Sequence, residues 1–546
     1  MIKKIHSTFY KEKITLSKLL YPDFFNDVFA PVMQPGSSGS FAGTCRIGQT
    51  ARHCLKSEPK RVQILFQPSS HFFQKLGNMM DDRAYLGGLL GFDTDDIRLF
   101  TAHELAREKR LSYEFLEGKD NQYPSSVTFE AEGWDGDRST LIATSVGGGR
   151  IVAHEVNGFP IDWHGDDYGI LLWNTTLTVS QGTELFSGHY LQHAEGTDGQ
   201  GKRFLFIETS EAPEQEVLDQ LTAEGAEIRV LPPLFRVVTS PDRKPQLYTT
   251  VAEWRDYADS HHISFVEAAI AYEQAYSGWS EQKIWDYFEY LYGILYEQVH
   301  SLDGEKLAQA KDTPMLPVYG KLWAAHEAKD GIILDSLTNE IVKRSLAVNA
   351  KLPGVKIVPG PMGTGGGYLF SAIDAVAQKQ GTPHQKVLEA LVVAASLGAL
   401  AYTHSNATGA SGCAGETGVC NAMGAGAIAW MCGGDGLAVE RAASMAIQAS
   451  LGLFCDPIPG GLEFPCITRT IRAAVTAPLY AELALSGIDP ILPYHEALQV
   501  IDRHFKATPN ALLCGPTCGA CTAPSAGKCM RFLGEDVMKG KLKYEA

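Results

Sequence analysis

The placement of cysteine is the feature that most restricts how this chain of 546 residues can fold. Nine of its eleven cysteines follow residue 412, and three of these stand in separate Gly- or Pro-marked contexts: Cys413 in SGCAGE, Cys455 in LFCDP and Cys466 in FPCIT. An odd number concentrated in one half favours metal ligation or catalysis over a disulfide framework and predicts a reducing compartment. Buried cysteines often only pack, so the residues alone leave packing and a metal site both open.

Length and charge narrow the classes of function. A chain this long is expected to form several domains. Its formal net charge of −16 disfavours nucleic acid and anionic membranes as partners and favours a small-molecule enzyme. The start of the chain lacks the apolar core of a secretory signal, and the apolar stretch from Val387 to Tyr402 is shorter than the roughly 20 residues of a membrane span. We therefore predict a cytoplasmic protein with a buried core helix there.

Three patterns follow one another along the chain. Residues 1–162 mix short strands and helices and end in STLIATSVGGGRIVAHEVNG, which predicts a strand, turn and strand. Residues 163–246 read as a strand, a polar stretch, a strand, a helix and a strand, which predicts a small βα sandwich. From 247 to 546 apolar residues recur at helical spacing. The predicted fold is an α+β N-terminal region followed by a mostly α-helical domain.

Several motifs resemble those of one family. GCAGETGVCNAMGAGA, LGLFCDPIPG and PCITR are similar, in order and spacing, to motifs of bacterial iron-sulfur L-serine dehydratases. The resemblance extends to LAVNAKLPGVKIVPGPMGTGGG and to PGSSGSFAGTCRIGQTAR near the start. It implies a 4Fe-4S cluster held by Cys413, Cys455 and Cys466. It also implies a β-like domain over 1–162, an ACT-like domain over 163–246, a catalytic domain over 247–546, and a homodimer.

The resemblance implies a lyase reaction. Water is eliminated from a β-hydroxy amino acid, L-serine or a larger analogue, and the enamine product hydrolyses to an oxo acid and ammonia. An iron without a protein ligand would act as the Lewis acid. Two alternatives stay open: β-elimination of sulfide from a cysteine-like substrate, and a non-catalytic iron-sulfur sensor or metal carrier.

The segment that the family uses for substrate is altered here. Where the family has Ser-Ser-Ser-His-Thr, this chain has Ser37, Ser38, Gly39, Ser40 and Phe41. Ser37 and Ser38 match, whereas Gly39, Ser40 and Phe41 depart and remove a histidine and a threonine hydroxyl. We retain Ser37, Ser38 and Ser40 as predicted catalytic residues and place Phe41 at the substrate. Because Phe41 replaces a hydroxyl by an aromatic ring, the change predicts a substrate larger or less polar than serine.

The loop GPMGTGGG is the second predicted substrate element. Its backbone amides and the hydroxyl of Thr364 suit a carboxylate, with Gly363, Gly365 and Gly366 in contact with substrate. No Gly-Lys-Ser/Thr follows, which argues against a phosphate-binding loop.

Four further positions match the family near the cysteines. Arg469 is predicted to pair with a carboxylate, although a structural arginine is the alternative. Asn406 is predicted to orient substrate or to form a turn. Glu416 and Asp456 are supporting carboxylates, and His404 is interpreted as a structural histidine.

The tail departs from the family. LLCGPTCGACTAPSAGKC adds Cys514, Cys518, Cys521 and Cys529, which could supply a fourth cluster ligand or bind a second metal such as zinc. The first three have radical-SAM spacing, but too few residues follow for the fold that chemistry needs. The remaining four cysteines are predicted to pack: Cys45, Cys54, Cys420 and Cys432.

Overall fold

The computed structural model describes residues 21–70, 76–77, 79–197, 203–312, 317–360, 365–407, 411–454, 464–509, 512 and 520–525. Its N-terminal part is a six-stranded sheet in the order β2-β1-β3-β4-β5-β6, in which β1 and β2 are parallel and the other pairs antiparallel. The strands are β1 Pro59–Phe66, β2 Ser112–Glu117, β3 Val127–Gly133, β4 Arg138–Gly147, β5 Arg150–Val156 and β6 Phe159–Trp163. Three helices belong to the same part of the chain: α1 Thr44–His53 precedes β1, and α2 Asp81–Leu89 and α3 Ala102–Glu108 lie between β1 and β2 in sequence.

The predicted strand, turn and strand is the β4–β5 hairpin. Gly147 pairs with Arg150 across a two-residue turn of Gly148 and Gly149, whose φ angles are +62° and +79°. A tight hairpin turn with both central residues at positive φ matches the twist of the flanking strands and strongly favours glycine. The hairpin also packs against the segment that carries the predicted substrate serines.

The second part is a four-stranded antiparallel sheet with two helices. Along the chain it runs β7 Tyr168–Trp173, α4 Val179–Leu185, β8 Tyr190–Thr197, β9 Arg203–Thr209, α5 Gln215–Ala223 and β10 Glu227–Leu231. The strand order is β10-β7-β9-β8, which is the split βαβ arrangement. The predicted polar stretch therefore contains α4 and β8. The sequence pattern does not reveal β8 because it is a mostly half-buried edge strand without apolar alternation, and backbone hydrogen bonds to β9 hold it in the sheet.

Helices make up the rest, which confirms the predicted fold class. They are α6 Val251–His261, α7 Phe265–Ser277, α8 Glu281–Val299, α9 Glu305–Gln309, α10 Tyr319–Asp330, α11 Ser336–Ala350, α12 Gly365–Gln380, α13 His384–His404, α14 Val419–Met431, α15 Gly436–Gln448, α16 Cys466–Leu485 and α17 Tyr494–Ala507. Among the described helices α13 alone has the length and apolarity of a membrane span. Because 78% of its most apolar window is buried inside the protein, it is the core helix that the sequence predicts.

The first described residues belong to the helical core. Phe24 stacks on Tyr272 at 5.5 Å between ring centroids, and Phe25 meets Tyr287 edge-on at 4.6 Å. A short bridge continues this link: the amide of Met33 donates to the carbonyl of Ile357, and the amide of Ile357 donates to the carbonyl of Met33. The first described residues thus lie among the helices and precede the six-stranded sheet along the chain.

Candidate active site

Cys413 lies at the start of a π-helical turn, Ala414–Gly418, which leads directly into α14. Its side chain is buried, with 3% of the residue exposed. Gly412 before it has φ +79°, and a Cβ on Gly415 would overlap the hydroxyl of Ser411 and lie 2.9 Å from the carbonyl of Asn406. The glycines flanking Cys413 therefore allow a tight turn, in which Asn406 lies beside the cysteine segment. π-Helical turns of this kind often mark functional sites.

Arg469 brings the cysteine segments together. It lies one helical turn after Cys466, the first residue of α16, so their side chains share a helix face. Its Nη1 donates a hydrogen bond to the Sγ of Cys413 at 3.4 Å and to the carbonyl of Phe454 at 2.8 Å. The amide of Ala414 also donates to the carbonyl of Leu453 at 3.1 Å. Arg469 thus links the segments that carry Cys413 and Cys466 to Phe454, the last described residue before Cys455.

Some predicted ligands fall outside the described part of the chain. They are Cys455, Cys514, Cys518 and Cys529, together with the carboxylate Asp456; the side chain of Cys521 is likewise not described. Within the described residues no group of three or more His, Cys, Asp or Glu side chains could hold a metal ion. Completion of a three-cysteine site therefore depends on Cys455, and that ligand set stays a prediction.

Three of the cysteines that are predicted to pack are buried as protonated thiols. Burial raises the pKa of Cys54 and of Cys420 to about 12, and it raises the pKa of Cys45 still further. The thiol of Cys420 donates to the carbonyl of Gly365 at 3.2 Å, and that of Cys45 donates to the carbonyl of Phe92 at 3.4 Å. Protonated, hydrogen-bonded thiols in apolar surroundings are inert, which agrees with the predicted packing role.

The glycine-rich loop leads into α12. Gly363 and Thr364 lie outside the described residues, whereas Gly365 and Gly366 form the buried first turn of the helix. A Cβ on Gly366 would overlap the carbonyl of Val358, and one on Gly367 would lie 2.6 Å from the Oε1 of Gln298. These two positions require glycine because Val358 and Gln298 approach the backbone of α12 so closely. Gln298 therefore lies at the amino end of α12, where amides that have no acceptor within the helix favour an anion.

The predicted substrate serines lie at another π-helical turn, Ser38–Gly43, which Ser37 directly precedes. The hydroxyl of Ser37 accepts a hydrogen bond from the amide of Ser40 at 3.3 Å and caps the turn, and Ser38 is buried. The hydroxyl of Ser145 in β4 donates to the carbonyl of Gly39 at 2.8 Å. The hydrogen bonds of this segment thus run within the turn and to the hairpin, and they do not join it to Cys413 and Arg469.

Phe41 points into the core of the six-stranded region. It is fully buried, its ring stacks on Phe100 with 6.2 Å between centroids, and a Cβ on Gly36 would press against it at 3.0 Å. Core packing accounts for the aromatic ring without a ligand. A substrate contact by Phe41 gains no support from this placement and stays a prediction.

His404 has a structural partner. Its Nε2 lies 2.6 Å from the carbonyl of Thr249, where the protonated nitrogen donates, which agrees with the structural interpretation. Asn406 is exposed, and its carbonyl accepts a hydrogen bond from the hydroxyl of Ser411. A turn role for Asn406 is therefore visible, while a substrate contact stays a prediction.

Sequence reasoning missed a group of buried polar side chains next to the glycine-rich loop. Ser345 and Asn349 share one face of α11 and both are fully buried. Within the described part of the chain, the hydroxyl of Ser345 and both amide atoms of Asn349 have no hydrogen-bond partner. Gln298, 2% exposed, has an unpartnered amide as well. Each such group costs about 1–3 kcal/mol unless a ligand or water satisfies it. The available signal was Asn349 in the LAVNA motif, four residues after Ser345.

Comparison with known proteins agrees with this architecture. Residues 260–520 match the family model of the serine dehydratase alpha chain. The L-serine dehydratase beta chain of Peptoniphilus asaccharolyticus is 34% identical over 149 residues, 27% of this chain and 66% of the relative. The probable L-serine dehydratase beta chain of Bacillus subtilis is 32% identical over 205 residues, 36% of this chain and 91% of the relative. The probable alpha chain of Bacillus subtilis is 30% identical over 184 residues, 33% of this chain and 59% of the relative.

This single polypeptide thus resembles both the alpha chain and the beta chain of its relatives. Along the chain, its α+β region precedes its helical region. The chain belongs to the L-serine dehydratase family. It spans about two thirds or less of the length of two of these three relatives.

Proposed function

We propose that this protein is an iron-sulfur-dependent lyase that eliminates water, with deamination, from a β-hydroxy amino acid, either L-serine or a larger analogue. The observation that carries the proposal is the hydrogen bond from Arg469 to the Sγ of Cys413, beside the carbonyl of Phe454. Three chain segments, each ending at or leading to a cysteine, meet at this arginine. Family membership supplies the reaction class.

Two of the three cysteines that would hold a 4Fe-4S cluster lie among the described residues. Neither Cys413 nor Cys466 forms a disulfide with another described cysteine, and the guanidinium of Arg469 beside Cys413 would stabilise an iron-bound thiolate. Cys413, Cys466 and, outside the described residues, Cys455 would hold the cluster. When bound, it supplies a Lewis acid that makes hydroxide a better leaving group.

The remaining steps belong to the side chains. The amino end of α12, with Thr364, would receive the substrate carboxylate. Gly366 and Gly367 let α12 pack closely against Val358 and Gln298. Ser345, Asn349 and Gln298 offer unpartnered polar atoms to the rest of the substrate. Ser37, Ser38 and Ser40 would complete the site from the N-terminal domain. Arg469 positions Cys413 in this scheme, and its carboxylate-binding role remains part of the proposal.

The wider organisation is proposed with it. The βαββαβ order of β7 to β10 supports an ACT-like domain over 163–246, between a β-like domain over 1–162 and a catalytic domain over 247–546. We infer a cytoplasmic homodimer, to be tested by light scattering of the purified protein. The tail cysteines would supply either a fourth cluster ligand or a second metal site.

Anaerobic purification tests the central proposal. Iron and sulfide would be quantified together with the oxo acid, ammonia and sulfide formed from β-hydroxy and β-thio amino acids. Cys413→Ala is expected to lose iron and activity together, whereas Cys432→Ala, a cysteine at the end of α14, keeps both. Full activity of Cys413→Ala without iron would refute the proposal, and sulfide release without dehydration would select the sulfide-eliminating alternative.

A further inference from the structure

A cavity lies away from the cysteine site, between α1, the loop 91–95 and the segment 232–236. Its volume is about 310 Å³, and residues 25–32 and Tyr287 of α8 close its remaining sides. That volume is at the lower end for ligand pockets and suits a molecule of a few non-hydrogen atoms. Arg46 and Gln49 belong to the motif PGSSGSFAGTCRIGQTAR, beyond its serines, and none of the lining residues is one of the predicted cysteine, serine or glycine-loop site residues.

Arg46 of α1 is the distinctive residue in the wall. It is 6% exposed, its Nη1 donates to the carbonyl of Gly149 at 2.7 Å, and its guanidinium lies 4.1 Å from the ring centre of Phe235. Among the described residues its Nε and Nη2 donate no hydrogen bond, and no carboxylate forms an ion pair with it. Burial, followed by the charge of Arg150, lowers the pKa of Arg46 to about 10. The charges of Asp166 and Asp93 act in the opposite direction, but among the described residues no carboxylate bonds directly to this buried cation, which is costly.

The carboxylates of the cavity wall have other partners. Asp95 pairs with the Nζ of Lys356 at 2.7 Å, and Asp93 accepts a hydrogen bond from the Nε2 of Gln49 at 3.0 Å. Neither forms an ion pair with Arg46, although the charge of Asp93 raises the pKa of Arg46. Arg236 adds a second, exposed cation to the lining.

We propose that this cavity is a second ligand site, which binds a small carboxylate through Arg46. A carboxylate accepts two charge-assisted hydrogen bonds from one guanidinium and would supply the directly bonded anion that Arg46 lacks among the described residues. An amino acid and a simple carboxylic acid share this chemistry. Asp93 lies in the same wall and would receive the ammonium group of an amino acid.

The site is mechanically connected to the substrate serines. The π-helical turn Ser38–Gly43 continues directly into α1, and Arg46 holds the carbonyl of Gly149 in the β4–β5 hairpin. The same hairpin holds Gly39 through Ser145. A ligand that tightens Arg46 would therefore restrain the serine turn from two sides.

Calorimetric titration of the anaerobically purified full chain with propionate and with L-alanine tests the proposal. We expect saturable binding of at least one of them, with one site per chain. Arg46→Gln, which removes the cation, and Leu234→Trp, which fills the cavity from its half-buried wall, should each weaken binding about tenfold or more. Arg138→Gln, on the exposed end of β4, is the matched control and should bind as the parent does.

Binding of propionate would be sufficient to support the carboxylate site. Binding of L-alanine but not of propionate would support the site with Asp93 as the partner of the ammonium group. Absence of saturable binding, or unchanged binding in both Arg46→Gln and Leu234→Trp, would overturn it. Loss of binding in Arg469→Gln with retention in Arg46→Gln would assign the ligand to the cysteine site and also overturn it. If Arg46→Gln fails to fold, as judged by circular dichroism, Leu234→Trp decides.

Discussion

At the scale of single residues, the proposed cysteine site, which consists of Cys413, Cys455 and Cys466, depends on Arg469. Arg469→Gln removes the hydrogen bonds to the Sγ of Cys413 and the carbonyl of Phe454. We expect iron content and kcat to fall together, with kcat about tenfold lower or more, because the thiolate loses its cationic neighbour. Arg469→Lys should recover part of both. Iron analysis and the visible absorption spectrum measure this, with Arg441→Gln in α15 as control; an unchanged spectrum in Arg469→Gln would contradict it.

Asn349 gives a second prediction at this scale, in which stability and activity move in opposite directions. Since both amide atoms of Asn349 lack partners, Asn349→Leu should raise the free energy of unfolding by about 1 kcal/mol. The same change should lower kcat/KM about tenfold or more if the amide contacts substrate. Asn339→Leu on the same helix breaks bonds to Trp323 and Glu327 and should only destabilise. Urea denaturation and initial rates test the pair, and unaltered kinetics in Asn349→Leu would remove it from the site.

At the scale of elements, the serine turn depends on its fit to β4. A Cβ on Gly43 would overlap the hydroxyl of Ser145 and lie 3.0 Å from its Cβ. Gly43→Ala should therefore cost about 1–3 kcal/mol and raise KM as the turn shifts. Ser145→Gly clears the space but also removes the hydrogen bond to the carbonyl of Gly39, so Gly43→Ala should cost much less in the Ser145→Gly background than in the parent. An equal cost in both backgrounds would show that the turn is set elsewhere.

The link between α8 and α12 is pH-dependent. Burial by itself lowers the pKa of His300, but its hydrogen bonds to Asp374 and Asp303 outweigh burial and raise the pKa above the usual value. A raised folded-state pKa adds stability that is complete below about pH 6.5 and is lost as the pH rises through the folded value. The free energy of unfolding of the parent should therefore fall more from pH 6 to 8 than that of His300→Gln. Parallel slopes in urea titrations at both pH values would contradict this.

At the scale of the whole molecule, residues 21–32 tie the start of the chain to the helices. Phe25→Ala leaves a cavity among Trp279, Tyr287 and Phe288 and should cost about 3–5 kcal/mol. Phe186→Ala, in the small core of the second sheet, is the control and should leave the helical part intact. Near-ultraviolet circular dichroism during urea unfolding separates the two. A chain that begins at residue 247 should fold poorly for the same reason, unless residues 1–246 are supplied.

The sequence by itself determined the order of the regions, the buried helix α13, the β4–β5 hairpin and the cysteine motifs, because periodicity, turn glycines and local motifs depend on neighbours along the chain. Tertiary structure alone decided where Phe41 points, that β8 is a strand, that Arg469 meets Cys413, and that Ser345 and Asn349 are buried without partners. These facts depend on residues far apart in sequence, such as Arg469 and Cys413. Packing and desolvation act only once such residues meet in space.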